Sequence, residues 1–151
     1  MNKVTEGWMA NLGPDLQVAF GKRHAVEYLG SIDVRQLPLT PAYCAGVQVW
    51  RKRLIPVLDL GRLLGCHRAD RSVRQKGVVV AYQAASGDGH RFGLLVLDGM
   101  PDLVKVSDDM ACALPGEPAW LQQIACSCFR HKDQAVPILA LAKLFEHPLV
   151  V

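Results

Sequence analysis

Val47-Gln48-Val49-Trp50-Arg51-Lys52-Arg53-Leu54-Ile55-Pro56-Val57-Leu58-Asp59-Leu60-Gly61-Arg62-Leu63-Leu64-Gly65 is the stretch whose reading decides the fold. It opens with apolar and polar residues in alternation, passes three consecutive cations, and runs almost wholly apolar from Leu54 to Leu58 around a proline. Period-two alternation broken by a charged cluster predicts two strands joined by a turn, the first half-buried and the second in the core. Asp59 interrupts the apolar run where Leu60, Leu63 and Leu64 take up a three-four spacing that Gly65 stops. Its carboxylate is therefore placed to cap a short helix by accepting a backbone N–H.

The same order returns near the end of the chain. Val136-Pro137-Ile138-Leu139-Ala140-Leu141-Ala142-Lys143-Leu144-Phe145 aligns with Ile55 to Leu64, with prolines, leucines and a cation in register, although Ala140 stands where the first copy has Asp59. A proline inside an apolar strand is uncommon, because it has no N–H for the ladder and is expected at an edge or a bulge. The echo at Pro56 and Pro137 predicts two similar half-units.

Around these two segments the chain reads as short strands. Leu16 to Phe20 and Ala25 to Leu29 are expected to form a hairpin about Gly21 to His24, after an arm or short helix over Met1 to Pro14. Pro38 and Pro41 force an extended approach to the central stretch. Cys66 to Lys76 is polar and basic, a surface loop by composition. Gly77 to Tyr82 and Arg91 to Leu97 flank Ser86-Gly87-Asp88-Gly89 as a second hairpin. Leu103 to Val106 is a short strand, Ser107 begins a helical turn, Trp120 to Cys128 is another strand, and Leu144 to Val151 packs the end. Many short strands with Gly and Pro turns predict a mainly β protein, with two small barrels sharing a core and short helical segments. One domain over 1–151 is expected, with approximate sub-barrels 16–65, closed in part by the C-terminal segment, and 66–145.

Composition narrows the function. With 151 residues, half of them apolar, the chain has the size of one ordinary domain that buries a sizeable core. No apolar run is long enough to span a bilayer, and Met1 to Glu6 lacks the apolar core of a signal peptide, so no membrane insertion and a cytoplasmic location are expected. Five cysteines without framework spacing point to reduced thiols. The net charge of +3 is unevenly spread: eight Lys or Arg lie between Arg51 and Lys76, whereas Asp98, Asp102, Asp108, Asp109 and Glu117 face only Lys105 in the later stretch. Surfaces of opposite sign suggest protein contacts.

No phosphate loop, dinucleotide turn, G-x-S-x-G elbow or H-E-x-x-H is present, so no enzyme is predicted by motif, and no cofactor. Cys126-Ser127-Cys128 with His131, completed by Cys112, is the nearest approach to a metal cluster. Residues two apart on a strand share a face, so Cys126 and Cys128 read better as core thiols than as ligands. Asp59 lacks a catalytic partner and reads as a cap or a buried hydrogen-bonding group. The basic run suits either a protein or a nucleic acid. A nucleic-acid binder on a small basic β-barrel is the alternative function, but Trp50 is the lone aromatic among the cations, and stacking on single strands needs several.

Thr40-Pro41-Ala42-Tyr43-Cys44-Ala45-Gly46-Val47, leading into Arg51 and then Ile55-Pro56-Val57-Leu58-Asp59-Leu60, resembles the CheW family, whose pattern is approximately P-x-x-x-x-G-V-x-N-L-R-G followed by V-P-V-I-D-L. Phe92 to Asp98 with Val104 to Val106 is similar to that family's later strand pair. The resemblance runs from about Leu16 to Phe145. It implies two five-stranded SH3-like barrels and a non-catalytic cytoplasmic adaptor. The implied partners are the regulatory domain of a CheA-type histidine kinase and the cytoplasmic tip of a methyl-accepting chemoreceptor, in chemotaxis or pilus-based motility. Where the family pattern has Asn, Leu and Gly around its arginine, this chain has Val49, Trp50 and Lys52, keeping Arg51. The protein-binding residues expected are Val49, Trp50, Arg51, Lys52 and Arg53, supported by Gly46, Pro56, Asp59 and Pro137 as structural residues.

Overall fold

The computed structural model describes residues 3–13, 15–64 and 75–149. The expected stop at Gly65 and most of the expected basic loop, including Arg68, Arg71 and Arg74, lie outside the described residues.

The strands are β1 (Val4–Gly13), β2 (Leu16–Gly21), β3 (Ala25–Leu29), β4 (Cys44–Trp50), β5 (Arg53–Leu58), β6 (Lys76–Gln83), β7 (His90–Leu97), β8 (Asp102–Ser107), β9 (Ala125–His131) and β10 (Gln134–Leu139). Helix α1 (Leu121–Ile124) precedes β9 and α2 (Leu141–Glu146) follows β10, and the Leu60–Leu64 segment after β5 is a 3-10 turn. The strands make two five-stranded curled sheets, ordered β8-β1-β2-β10-β9 and β3-β6-β7-β5-β4. Written from the opposite end, each sheet has the same plan: an antiparallel hairpin (β4–β5 or β9–β10), a parallel pairing of its second strand (β5 with β7, β10 with β2), then an antiparallel neighbour and an outer strand.

Pro56 and Pro137 occupy matching places in this plan. Each lies in the second strand of its hairpin, and the parallel pairing begins at the next residue, Val57 with Leu94 and Ile138 with Ala19. Opposite Pro56, Val47 turns its backbone groups away and exchanges hydrogen bonds with Arg35 at 2.8 and 2.9 Å. Opposite Pro137, the Cys128 carbonyl accepts from the Cys112 N–H at 3.1 Å. The missing proline N–H is therefore not demanded by the antiparallel partner and precedes the parallel ladder. The two strands are interior to their sheets, not edges; the short parallel ladder is what tolerates the ring.

Burial follows the same doubling. Ala45, Trp50, Ile55, Val57, Val79, Leu94 and Val96 fill the inside of one barrel, and Met9, Ala19, Val104, Phe129 and Val136 fill the other. Between them a larger shared core takes Leu12, Val18 and Phe20 from one sheet, Val78, Val80, Leu95 and Leu97 from the other, and residues of both helices. The central strands are thus buried on both faces, which is why 77–82 and 94–97 read as continuous apolar runs. The junction is tight: Phe145 of α2 stacks on Tyr82 with centroids 5.3 Å apart, and a Cβ at Gly93 would lie 2.3 Å from the Phe145 ring.

Several expectations are corrected. Within the expected arm, Val4–Gly13 is the strand β1, paired with both β2 and β8, and Met1, Asn2 and Pro14 lie outside the described residues. Leu16 to Leu29 is not a hairpin: β2 and β3 belong to different sheets, and the 3-10 turn Lys22–His24 carries the chain across. Residues 121–124, read as strand, are the helix α1. The sub-barrel division at 65/66 also fails, because one barrel is built from β3 to β7 and the other from β1, β2 and β8 to β10. The chain begins one barrel, builds the second completely, and returns to finish the first. Parallel closure by β10 against β2 needs strands from both ends of the chain, which no local pattern announces.

Candidate protein-interaction site

The β4–β5 hairpin closes through a two-residue turn, with Arg51 at φ 47° and Lys52 at φ 65°. Positive φ at both central positions belongs to the type I′ turn, whose twist matches that of paired strands. The equivalent turn of the other barrel, Lys132 and Asp133, has φ of 48° and 62°. None of the four is glycine, so the left-handed conformation is imposed by the strand register.

Trp50 directs its ring into the barrel, 7% exposed, with its centroid 5.2 Å from that of Phe92. The indole Nε1–H donates to Oε2 of Glu27 on β3 at 3.2 Å. The Arg51 guanidinium lies 4.6 Å from the Trp50 ring and 3.6 Å from the same Glu27 oxygen. Arg53 covers Phe92 at 4.9 Å. Two cations thus bracket two rings, and one carboxylate ties the turn to β3. Such cation–ring contacts hold guanidinium groups in place without removing them from solvent. The Trp50 ring lies beneath the exposed surface of the turn, packed in the barrel interior.

Above this layer the surface is mixed. Val49 and Leu54, directly paired across the hairpin, are 58% and 68% exposed. Arg51, Lys52 and Arg53 are exposed beside them. The site therefore offers an apolar pair flanked by three cations, a composition suited to a partner with an apolar centre and carboxylates at its rim. Among the expected cations beyond the turn, Arg62 is exposed but pairs with the buried Asp59, Lys76 is exposed at the start of β6, and those of 68–74 lie outside the described residues.

The supporting residues have structural roles with identifiable causes. Gly46 has φ +140°, and a Cβ there would stand 2.1 Å from the Arg35 carbonyl oxygen, so only glycine lets the 35–36 segment lie along β4. Gln48, buried, accepts the Asp33 N–H at 2.9 Å and fixes the preceding loop. Asp59 is 1% exposed, and its carboxylate is 3.5 Å from the Arg62 Nε. Its own N–H donates to the Tyr43 carbonyl at 2.7 Å. Asp59 therefore anchors the start of the 3-10 turn from within the core.

The expected pairing of Cys126 and Cys128 on one face does not occur. Cys128 is buried whereas Cys126 is exposed, because the β9–β10 register shifts between Ile138 and Leu139 and leaves Cys126 as the extra residue of a bulge. Among the described residues no group of three or more His, Cys, Asp or Glu side chains is placed to hold a metal ion. Also among them, no helix is long and apolar enough to cross a membrane. Glu27 and Phe92, which complete the turn, are expected on strands from the sequence but not at the site: each is one polar or aromatic residue in a distant strand, with no local pattern marking it as a partner of the turn.

The family model described as CheW-like domain matches residues 9–149. Among solved structures, the chain is similar to the scaffolding protein TtCheW from Thermoanaerobacter tengcongensis, with a TM-score of 0.75 and 17% identity over 95% of this chain and 94% of that one. At that identity the likeness speaks for the fold, two SH3-like barrels. No curated protein matches the sequence.

Proposed function

The chain belongs to the CheW-like domain family of chemotaxis scaffold and adaptor proteins, and from that premise we propose that it is a non-catalytic cytoplasmic adaptor coupling chemoreceptors to a CheA-type histidine kinase. The reading assigns one docking function to the β4–β5 turn. Arg51, Lys52 and Arg53 would meet acidic groups of the partner while Val49 and Leu54 would cover an apolar patch; Trp50 and Glu27 hold the turn ready. The observation that carries this assignment is the pre-ordered turn: a surface on which two of the cations, Arg51 and Arg53, are already seated on aromatic rings loses little side-chain freedom on binding. The kinase's regulatory domain is the partner proposed for this turn, and the receptor tip is proposed for a separate surface.

A side-by-side titration tests the proposal. The pure chain is titrated with the regulatory domain of a CheA-type kinase and with mixed oligonucleotides at several salt concentrations. Saturable binding to the kinase domain, with little oligonucleotide affinity at physiological salt, is expected. A nucleic-acid binder would instead show log K falling with log salt by roughly 0.7 to 0.9 per neutralised phosphate. That slope, with no binding to the kinase domain, would overturn the adaptor reading.

A further inference from the structure

Outside the docking turn, two thiols meet at the edge of the other barrel. The Cys112 Sγ lies 3.4 Å from the Cys128 Sγ, and both are free thiols. Cys112 belongs to a short strip laid along the outer side of β9, where Ala111 bridges Phe129 in antiparallel fashion and the Cys112 N–H donates to the Cys128 carbonyl at 3.1 Å. Counting one residue from that bridge puts Cys112 directly opposite Cys128. Opposed residues of an antiparallel ladder have Cα atoms about 4.5–5.5 Å apart, inside the roughly 4.4–6.8 Å range that a disulfide spans. The sulfurs, 3.4 Å apart, must close to the roughly 2.05 Å of a disulfide bond, a short movement for two opposed side chains.

The geometry points to a thiol–disulfide switch: Cys112 and Cys128 join when the chain meets an oxidising small-molecule disulfide such as glutathione disulfide, stapling the 111–112 strip to the edge of β9. Cys112, the half-exposed partner, loses its proton and its thiolate attacks one sulfur of the small disulfide, releasing the other half as a thiolate that takes up a proton. Cys128 then gives up its proton and attacks the Cys112 sulfur, and the second half leaves as a thiol. Two protein thiols are oxidised by two electrons and one small disulfide is reduced to two thiols. The order of attack follows the environment. Burial, with the hydrogen bond it shares with Cys112, pushes the Cys128 thiol up to about 12, so it is a poor first nucleophile.

The consequence is local and asymmetric. Strand β9 ends its sheet, and the 111–112 strip occupies its outer side. Ala111, Ser127, Cys128 and Phe129 also line a groove of about 270 Å³, so the staple would hold one wall of that groove. At the matching edge of the other barrel the Arg35 strip bonds Val47 through the backbone, and Cys44 is the one cysteine of that barrel among the described residues, so no thiol pair spans that edge there.

The full chain is equilibrated in glutathione buffers stepped from reducing to oxidising, alkylated without reduction, and mapped by peptide mass. Joined peptides bearing Cys112 and Cys128, with the loss of two alkylatable thiols, are expected, together with slower amide exchange over 111–112. Cys112→Ser should abolish the link, and Cys128→Ser should stop at a glutathione adduct on Cys112. Should the Cys128→Ser chain fail to fold, the Cys112→Ser chain and the wild-type map still decide. The switch is overturned if Cys112 and Cys128 stay alkylatable in the most oxidising buffer, if the link forms to any other cysteine, or if oxidation leaves exchange at 111–112 unchanged.

Discussion

The Arg51 guanidinium rests 4.6 Å from the Trp50 ring while sharing the Glu27 carboxylate with the Trp50 indole N–H. One acidic oxygen thereby orders a buried ring and an exposed cation together. Arg51 is thus held by Trp50, which with Val49 and Lys52 is one of the three positions at which the turn differs from the CheW pattern it resembles. The leucine of that pattern offers neither a ring face to a cation nor a donor to Glu27, so the substitution changes how the turn is supported while leaving Arg51 exposed.

Replacing Arg51 by alanine should therefore cost little stability. An exposed cation–ring contact is worth about 0.5–1 kcal/mol and an exposed ion pair about 0–1 kcal/mol. The urea midpoint should move slightly, while affinity for the kinase regulatory domain falls by tenfold or so, about 1.4 kcal/mol. Unchanged affinity, or outright unfolding, would show that Arg51 is not a recognition residue.

Trp50→Ala should behave in the opposite way. Removing a large ring from a barrel interior typically costs about 3–5 kcal/mol, and Arg51 and Glu27 lose their shared support. Trp50→Phe keeps most of the packing and loses the N–H donated to Glu27. Chemical denaturation should rank the three chains wild type, Phe, Ala; an alanine chain as stable as wild type would contradict the burial of this ring.

For Gly46→Ala, both the positive φ and the close carbonyl of Arg35 act against a side chain. A loss larger than about 1 kcal/mol is expected, since alanine at φ > 0 is strained even where there is room. Amide exchange locates the damage: protection at Arg35 and Val47, which bond each other across the β4 edge, should drop before protection in β6 and β7.

Alkaline stability carries a signature of Cys128. Burial holds its thiol protonated up to about pH 12, whereas the unfolded thiol titrates near 9.0. Below the unfolded value both states are protonated and nothing is lost. Between roughly pH 9 and 12 the unfolded chain releases a proton that the folded chain keeps, so stability declines as pH rises. The fall of the urea midpoint across that window, under reducing conditions, should be shallower in Cys128→Ala than in wild type; identical slopes would count against a suppressed thiolate.

Local chemistry in the sequence determined the hairpin about Arg51, the second hairpin of 77–97, the buried role of Asp59, and the doubling marked by Pro56 and Pro137. In each case the cause lies within a few residues: alternation, turn composition, or a ring without an N–H. Which strands share a barrel was decided only by the tertiary structure. The apolar faces of β1 and β2 would satisfy a hairpin with either neighbour, and the choice of β10 as parallel partner is made by burial across the whole chain length. The bulge that separates Cys126 from Cys128, the meeting of Cys112 with Cys128, and the capture of Trp50 and Arg51 by Glu27 belong to the same class. A pair of residues far apart in sequence has no local energetic signature, because the contact gains its free energy only after the intervening chain has been closed into place.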